Sequence, residues 1–332
     1  MKIYAHLPLV AIRRFRAGTA ALARILRTPV YFGRHPDRVP QRSLVLFPLL
    51  DNRLGCGLAG IVTFGRMPAK AAGLKLDSLE QMVTALETRG FERCRQEGVA
   101  PAEGYLCGDD HIQALLSEAC GLKKLAHFAV LFENAGLQAQ LEKIADRLNR
   151  LVKDEERLLS DQMGLLDVDT VKVLAARIDL VKDITWCLSA EVIDNLAKVR
   201  TLAGTEGANG SWRPEQIRIY KNINAVLNSI DRLEVRGRDS AGISLMFILE
   251  KAEFERFETA LKDEERFDEL QVRCDREVLI NGDIHVHESC GGEGDDLVTV
   301  TFTYKVAAEI GRLGDNIRFL RQQIQDDDIF HR

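Results

Sequence analysis

Two short segments of the sequence carry residue types that could do chemistry. Cys56 begins the run Cys-Gly-Leu-Ala-Gly-Ile-Val62, and a cysteine thiolate can act as a nucleophile when a base lies near its sulfur. Far downstream, Arg236 and Gly237 close a helical pattern, and Asp239 leads through Ser-Ala-Gly242 into an apolar strand pattern. Glycine at such a turn lets backbone approach closely where a side chain would intrude.

Each of these residues also has a purely structural interpretation. Cys56 could be a buried thiol at the start of a core strand. Arg236 could offset the dipole at the C-terminal end of a helix, and Asp239 could fix the turn by bonding its backbone. From the residue types alone, the structural and the chemical interpretations both stay open.

Taken together, the two segments resemble the class II glutamine amidotransferases, specifically the glutaminase domain of glucosamine-6-phosphate synthases. The run that starts at Cys56 is similar to the family's Cys-Gly-Ile-Val-Gly strand. The run Arg236-Gly-Arg-Asp-Ser-Ala-Gly242 is similar to the family's Arg-Gly-x-Asp-Ser-Ala-Gly signature, with Arg238 where the family usually has tyrosine. Residues 309–321 are similar to the helix start that follows the family's third strand.

The resemblance implies a fold and a division into domains. The family has the four-layer αββα fold of amino-terminal-nucleophile (Ntn) hydrolases, so we expect an α+β protein. In the family a short stretch separates the cysteine from the arginine, whereas here Arg236 follows Cys56 by 180 positions. We therefore predict an incomplete glutaminase domain, residues 56–65 and 213–332, interrupted by a long all-α helical insertion, residues 66–212. Residues 1–55 would be a basic amino-terminal extension or pro-segment.

The resemblance also implies a reaction. In the family the cysteine attacks the side-chain amide of L-glutamine, which gives a thioester and ammonia. Cys56, Arg236 and Gly237 would be the catalytic residues, and Arg236 and Asp239 would bind substrate, without a cofactor or a metal. Carboxy-terminal domains that are missing here would use the ammonia to form glucosamine 6-phosphate from fructose 6-phosphate.

Two further expectations follow from the family's chemistry. Its base is the free α-amino group of the cysteine, with a reference pKa of about 8, so cleavage between Gly55 and Cys56 is expected. The family's His-Thr-Arg-Trp strand and Gly-Asn-Gly oxyanion element do not occur in the sequence. We therefore expect the amino-terminal part of a longer enzyme that is inactive alone. The alternative is a non-catalytic interaction or regulatory protein, in which a degenerate amidotransferase scaffold carries a partner-binding helical bundle.

Composition narrows the class of protein. A hydrophobic content of 46% and a charged content of 29% in 332 residues are typical of a globular chain. The net charge of −5 argues against nucleic acid as the main partner. Seven scattered cysteines and no apparent secretory signal favour reduced thiols in the cytoplasm. No apolar run is long enough to span a membrane. A homo-oligomer is possible, because the apolar helical stripes described next could pack on those of a second copy.

Hydrophobic periodicity predicts the order of the elements. Helices are expected almost throughout Asp77–Leu202, with apolar stripes over Leu137–Leu151 and Val171–Val199 that indicate two long amphipathic helices. A basic amphipathic helix is expected at about residues 8–27, and another helix before Arg236. The remaining predictions are strands at Leu44–Phe47, Leu58–Val62, Ile243–Leu249, Glu277–Ile280, Ile284–His287 and Leu297–Tyr304, and helices at Glu250–Leu270 and Leu313–Ile324.

Other residues with chemical potential have simpler explanations. His285, His287 and Cys290 have metal-like spacing, but exposed strand positions before a turn explain them better. The acidic run Asp326–Asp328 could coordinate a cation, although a solvated helix end is the better interpretation. Trp186 and Cys187 lie within an apolar stripe and are expected in the core.

Overall fold

A computed structural model describes most of the chain between Ser43 and Arg332. The described residues are the strand Ser43–Phe47 and residues 58–63, 73–204, 212–233, 240–275, 277, 280–288, 297–306 and 314–332. They all belong to one compact unit, Arg42–Arg332. The residues predicted to form the basic helix at 8–27 lie outside the described part.

Helices occupy the chain from Asp77 to Ala203. They are α1 (Asp77–Glu87), α2 (Phe91–Glu97), α3 (Gly108–Gly121), α4 (Leu125–Glu133), α5 (Ala135–Gln162), α6 (Val168–Trp186) and α7 (Asp194–Ala203). Short helical turns lie at Pro101–Gly104, Tyr105–Cys107 and Met163–Leu165, and a π-helical turn, Cys187–Ile193, joins α6 to α7. The sequence-based prediction of an almost continuous helical block is confirmed.

The two predicted apolar stripes pack against each other. Leu141, Ile144 and Leu148 on α5 are spaced by three and four residues, so they share one face of the helix. All three are buried, and α5 packs against α6, where Leu174 and Ile178 are also buried. The two long amphipathic helices therefore bury their stripes within this chain.

Two buried charged side chains tie the first helices to this pair. Glu155 on α5 accepts a hydrogen bond from the backbone N–H of Phe91, the first residue of α2, at 3.2 Å. Gly90 leaves the necessary room, because a Cβ atom there would lie 2.4 Å from Glu155 Oε1. Arg177 on α6 donates to the carbonyl oxygen of Tyr105 at 2.7 Å. Burial raises the pKa of Glu155, which identifies it as a carboxyl group held out of water.

Two small sheets and four more helices complete the described structure. Strands β1 (Ser43–Phe47) and β2 (Leu58–Val62) form an antiparallel pair. Strands β3 (Ala241–Glu250), β4 (Asp283–Glu288) and β5 (Leu297–Val306) form a separate antiparallel sheet in the order β3-β5-β4. The helices are α8 (Pro214–Leu233), α9 (Lys251–Asp263), α10 (Phe267–Cys274) and α11 (Asp315–Gln325).

Helices cover one face of the three-stranded sheet. Side chains alternate across a strand, and the buried set includes Leu245, Phe302 and Tyr304. Helix α11 packs against β3 and β5 on this side. On the opposite face of β3, Met246 and Ile248 are 45% and 61% exposed. Within the described part of the chain, that second face has no covering layer.

One hydrophobic core joins the helical block to the helices that flank the sheet. Leu196 of α7, Leu227 of α8 and Leu320 of α11 are all buried in the same cluster as the sheet residue Tyr304. The architecture is α+β, as predicted. The division into residues 56–65, 66–212 and 213–332 stays a prediction, since a shared core does not mark a boundary.

Some predictions for local structure are wrong. Glu277 lies in a turn and Ile280 lies outside any strand, so neither end of the predicted strand Glu277–Ile280 is a strand residue. The charged segment after β3 forms two helices instead of one, because the chain turns between α9 and α10 with Glu265 at a φ of 59°. Trp186 is 50% exposed and therefore not a core residue, whereas Cys187 is buried as predicted.

The core of the helical block generates a stability prediction. Leu148 has no exposed surface, whereas Leu165, in the turn after α5, is 81% exposed. Replacing Leu148 by alanine leaves a cavity and should lower the free energy of unfolding by about 2–5 kcal/mol. The control Leu165→Ala should change it by less than about 0.5 kcal/mol. Urea unfolding followed by circular dichroism measures both, and equal losses would contradict the assigned packing.

Candidate functional site

The four residues predicted to carry the chemistry lie outside the described residues. They are Cys56, Arg236, Gly237 and Asp239. The described structure includes the elements on either side of them. Strand β2 begins two residues after Cys56, α8 ends three residues before Arg236, and β3 begins two residues after Asp239.

Strand β2 and helix α8 are in direct contact although they are far apart in sequence. The side-chain amide of Asn222 on α8 donates a hydrogen bond to the hydroxyl of Thr63, just after β2, at 2.7 Å. The strand also packs along α8. The segments that lead to the predicted nucleophile and to the predicted Arg-Gly turn are therefore neighbours.

A chain of hydrogen-bonded polar side chains lies on another side of α8. Asn224 is buried, whereas Asn195, Asn228 and Arg321 are partly buried, and we call these four residues the asparagine seam. The side-chain oxygen of Asn195 on α7 accepts hydrogen bonds from the amides of Asn224 and Asn228 on α8, each at 2.8 Å. Arg321 on α11 donates to the side-chain oxygen of Asn228 at 2.7 Å. Asn224 and Asn228 are four residues apart, which puts them on one face of the helix. The seam therefore joins three helices.

Arg321 is the unusual member of the seam. Burial lowers its pKa, and the carboxylate of Asp231 partly offsets this. Its Nη1 atom and the side-chain oxygen of Asn224 are buried and have no hydrogen-bond partner among the described residues. Buried polar atoms of this kind carry a cost in free energy, so the seam is a polar site inside an apolar junction. Sequence reasoning missed it, although two asparagines four residues apart in an amphipathic helix were a usable signal.

A second polar cluster lines a groove of about 450 Å³ beside the sheet. Arg273 on α10 makes two hydrogen bonds to Asp327, at 2.8 Å and 2.5 Å. The hydroxyl of Tyr304 on β5 donates to the same carboxylate at 2.7 Å. Arg273 also donates to the carbonyl oxygen of Gly282 at 2.7 Å, where φ is 78° and a Cβ atom would lie 3.0 Å from the guanidinium. We call this arrangement the Arg273 cluster.

The electrostatics of the Arg273 cluster are those of a satisfied ion pair. Burial alone would raise the pKa of Asp327, but the hydrogen bonds from Arg273 and Tyr304 outweigh it, and the pKa lies below its usual value. Burial raises the pKa of Tyr304, and the adjacent carboxylate raises it further. Because the guanidinium and the carboxylate satisfy each other, the cluster orders the chain and offers no free acid or base.

The acidic run after α11 is therefore only partly solvated. Asp326 and Asp328 are exposed, as predicted, but Asp327 is buried, and the prediction for this residue is wrong. Sequence spacing gives no sign of its partner, because Arg273 lies 54 residues earlier.

The predicted metal-like histidines are exposed strand residues. His285 and His287 lie on the face of β4 that is not covered by helices, and His285 contacts the carboxylate of Asp283 at 2.9 Å. Cys290 lies outside the described residues. Across the described ranges, no group of three or more His, Cys, Asp or Glu side chains is arranged to hold a metal ion.

Comparison with known proteins gives no relative for this chain. No family model, no curated protein and no solved structure matches it. Among the described helices, none has both the length and the apolar character required to cross a membrane.

The Arg273 cluster generates a pH-dependent prediction. Asp327→Asn leaves the buried guanidinium of Arg273 with only the partly exposed carboxylate of Glu269, 3.6 Å away, and should lower the free energy of unfolding by about 3–5 kcal/mol at pH 7. Because the pKa of Asp327 is lowered in the folded chain, its stabilisation is present above the ordinary carboxyl pKa of about 4 and is lost as the pH falls through the folded value. The difference between the two proteins should therefore shrink in acid.

The neighbouring Asp328 supplies the matched control for this experiment. It pairs with Arg266 on the surface, where its side chain is 57% exposed. Asp328→Asn should therefore cost no more than about 1 kcal/mol. Urea unfolding between pH 3 and pH 8 compares the two variants, and a pH-independent loss in Asp327→Asn would show that the ion pair is not the cause.

Proposed function

We propose that this chain is the amino-terminal part of a glutamine-dependent amidotransferase similar to glucosamine-6-phosphate synthases. Cys56 attacks the side-chain amide of L-glutamine, and Arg236 and Gly237 flank the sulfur. Arg236 and Asp239 bind the substrate. The ammonia passes to domains outside these 332 residues, where fructose 6-phosphate becomes glucosamine 6-phosphate. The setting is the cytoplasm.

The observation that carries this proposal is the contact between β2 and α8. The hydrogen bond from Asn222 to Thr63 joins residues 159 positions apart. A glutaminase site needs the cysteine strand beside the helix that leads into Arg-Gly, and the described contact supports that arrangement. It is also what the proposed insertion requires, because the two segments remain neighbours despite the helical block between them.

The lengths of the two elements agree with a common end point. From Thr63 back to Leu58 the strand extends about 17 Å at about 3.3 Å per residue. From Asn222 forward to Leu233 the helix extends about 17 Å at about 1.5 Å per residue. If the strand and the helix are antiparallel, Leu58 and Leu233 lie at the same level. Cys56 and Arg236 then lie two and three residues beyond those ends.

The exposed face of the three-stranded sheet gives a second line of support. An αββα fold has two sheets packed face to face, each covered by helices on its outer side. The sheet of this chain is covered by helices on one face, and Met246 and Ile248 are exposed on the other. One half of the proposed four-layer fold, a sheet with helices on one face only, would have this arrangement of layers.

The proposed chemistry requires a chain that begins with Cys56. A cysteine that uses its own α-amino group as base must be the first residue, and an α-amino group with a pKa near 8 is partly neutral at physiological pH. The proposal therefore includes cleavage between Gly55 and Cys56. Among the described cysteines, burial raises the pKa of Cys94, Cys107, Cys187 and Cys274, so none of these four thiols is activated for attack on an amide.

Proximity of Cys56 and Arg236 can be tested without turnover. In Arg236→Cys, mild oxidation should link the introduced thiol to Cys56, because disulfides form only when the two Cα atoms lie within about 7 Å. The control Arg232→Cys places a thiol one helical turn earlier, near Trp186, and should not link. Peptide mapping by mass spectrometry identifies the linked residues. Absence of the Cys56 link in Arg236→Cys would rule out the proposed site.

The state of the amino terminus tests the catalytic part of the proposal. Mass spectrometry of the purified protein should show a mature chain that begins at Cys56, and Cys56→Ala should leave the precursor uncleaved if the thiol takes part in processing. An intact Met1 terminus in the unsubstituted protein, together with a failed Arg236→Cys cross-link, would instead support a non-catalytic interaction protein.

A further inference from the structure

Two cysteines of the helical block face each other across a helix junction. Cys120 lies in the last turn of α3, and Cys187 is the first residue of the π-helical turn after α6. Their sulfur atoms are 3.8 Å apart. Cys187 is 3% exposed, whereas Cys120 is only partly buried. The proposed amidotransferase chemistry uses neither thiol.

An ion pair lies beside the two thiols and joins the same two segments. Lys123, just beyond α3, contacts Glu191 in the π-helical turn, with Nζ and Oε2 2.5 Å apart. Burial raises the pKa of the Cys187 thiol. The Lys123 ammonium partly offsets this effect, whereas Cys120 and the Glu191 carboxylate add to it. A positive charge beside a thiol stabilises a thiolate that forms during a reaction.

We propose that Cys120 and Cys187 form a reversible disulfide, which makes the pair a modification site for hydroperoxides. Cys120 as thiolate attacks a peroxide oxygen, and the O–O bond breaks to give a sulfenic acid and, with hydrogen peroxide, water. The Cys187 sulfur then attacks the Cys120 sulfur and displaces a second water. The two thiols lose two electrons and two protons, and the peroxide is reduced to two waters.

The geometry assigns an order to these two steps. The oxidant reaches Cys120 first, because part of this residue is open to solvent while Cys187 is enclosed. Closing the bond requires the sulfurs to move from 3.8 Å to about 2.05 Å. Changes in side-chain torsion and small shifts of the two helix ends can supply this movement.

The proposed bond would tie the end of α3 to a turn of unusual geometry. π-Helical turns are rare and are frequently found at functional sites. The carbonyl oxygen of Glu191, within this turn, accepts a hydrogen bond from the amide of Asn195 at 2.8 Å. The modification site therefore lies next to the asparagine seam, and it stands whether or not the chain is a glutaminase.

Peptide mapping of the full chain after peroxide treatment tests the proposal. Free thiols are blocked with maleimide after incubation with hydrogen peroxide, and the digests are compared with and without reductant. The main cross-linked pair should contain Cys120 and Cys187, with the loss of two hydrogen atoms. Because the bond closes a long loop, the melting temperature should rise by about 5–10 °C and return to its original value after reduction.

Two variants identify the thiols that are responsible. Cys120→Ser should abolish both the cross-link and the rise in melting temperature. Cys274→Ser removes another partly buried thiol, on α10, and should change neither. The proposal fails if Cys120→Ser keeps the rise in melting temperature, or if Cys120 in the unsubstituted chain becomes sulfinic acid without a link to Cys187.

A trivalent arsenical gives an independent measurement on the unsubstituted chain. Phenylarsine oxide bridges two thiols that are held close together. One equivalent should protect both Cys120 and Cys187 from maleimide, whereas modification of both residues in its presence would overturn the proposal. This measurement does not depend on the folding of a variant.

Discussion

Burial of helix α8 on several sides at once is the constraint on which the rest of the described structure depends. Its apolar residues, including Ile217 and Leu227, belong to the common core. The helix contacts α7 of the helical block, α11 beside the sheet, and the strands β2 and β3. Towards its ends the helix meets water, and Glu215, Asp231 and Arg232 are exposed there. On the enclosed side Asn224 is buried, so the hydrogen bonds of its side chain must be made inside the protein.

The asparagine seam is the consequence of that enclosure. Burial of apolar surface stabilises the folded chain by about 25 cal/mol per Å². A hydrogen bond between neutral groups adds only about 0.5–1.5 kcal/mol net to the free energy of unfolding. The seam therefore does not drive the packing of the three helices. It does fix their register, because Asn195 can accept from both α8 amides only when the helices lie at one relative height. The same reasoning applies to the Arg273 cluster. Removing one partner of a buried ion pair lowers the free energy of unfolding by more than the intact pair contributes to it.

The secondary structure was largely predictable, because it rests on local periodicity. The stripe from Leu137 to Leu151 and the alternation from Leu297 to Tyr304 identify α5 and β5 without any knowledge of tertiary structure. The errors lie where local signals are weak. Glu265 adopts a positive φ that usually marks glycine, so the break between α9 and α10 has no sequence signature. Trp186 is exposed although its neighbours Cys187 and Leu188 in the π-helical turn are buried, so a single position beside a well-predicted stripe was misassigned.

The candidate sites were much less predictable than the fold. Asp327 is buried because Arg273 reaches it from a distant helix, and no pattern within either segment indicates this partnership. Asn222 and Thr63 likewise meet only because the whole helical block folds between them. The assignment of Cys56 and Arg236 rests on resemblance to a family and stays a proposal, because both residues lie outside the described part of the chain.

The helical block can influence α8 only if an element between them has two alternative packings. Coupling between distant positions needs an element with two discrete arrangements, and contact alone is not sufficient. The element that joins α6 of the helical block to α7 is the π-helical turn Cys187–Ile193, and a π turn differs from an α turn by one residue in register. A shift in that register would move the Glu191 carbonyl away from Asn195, and Asn195 holds both amides of α8. The thiol pair and the seam are therefore the two ends of one short physical connection.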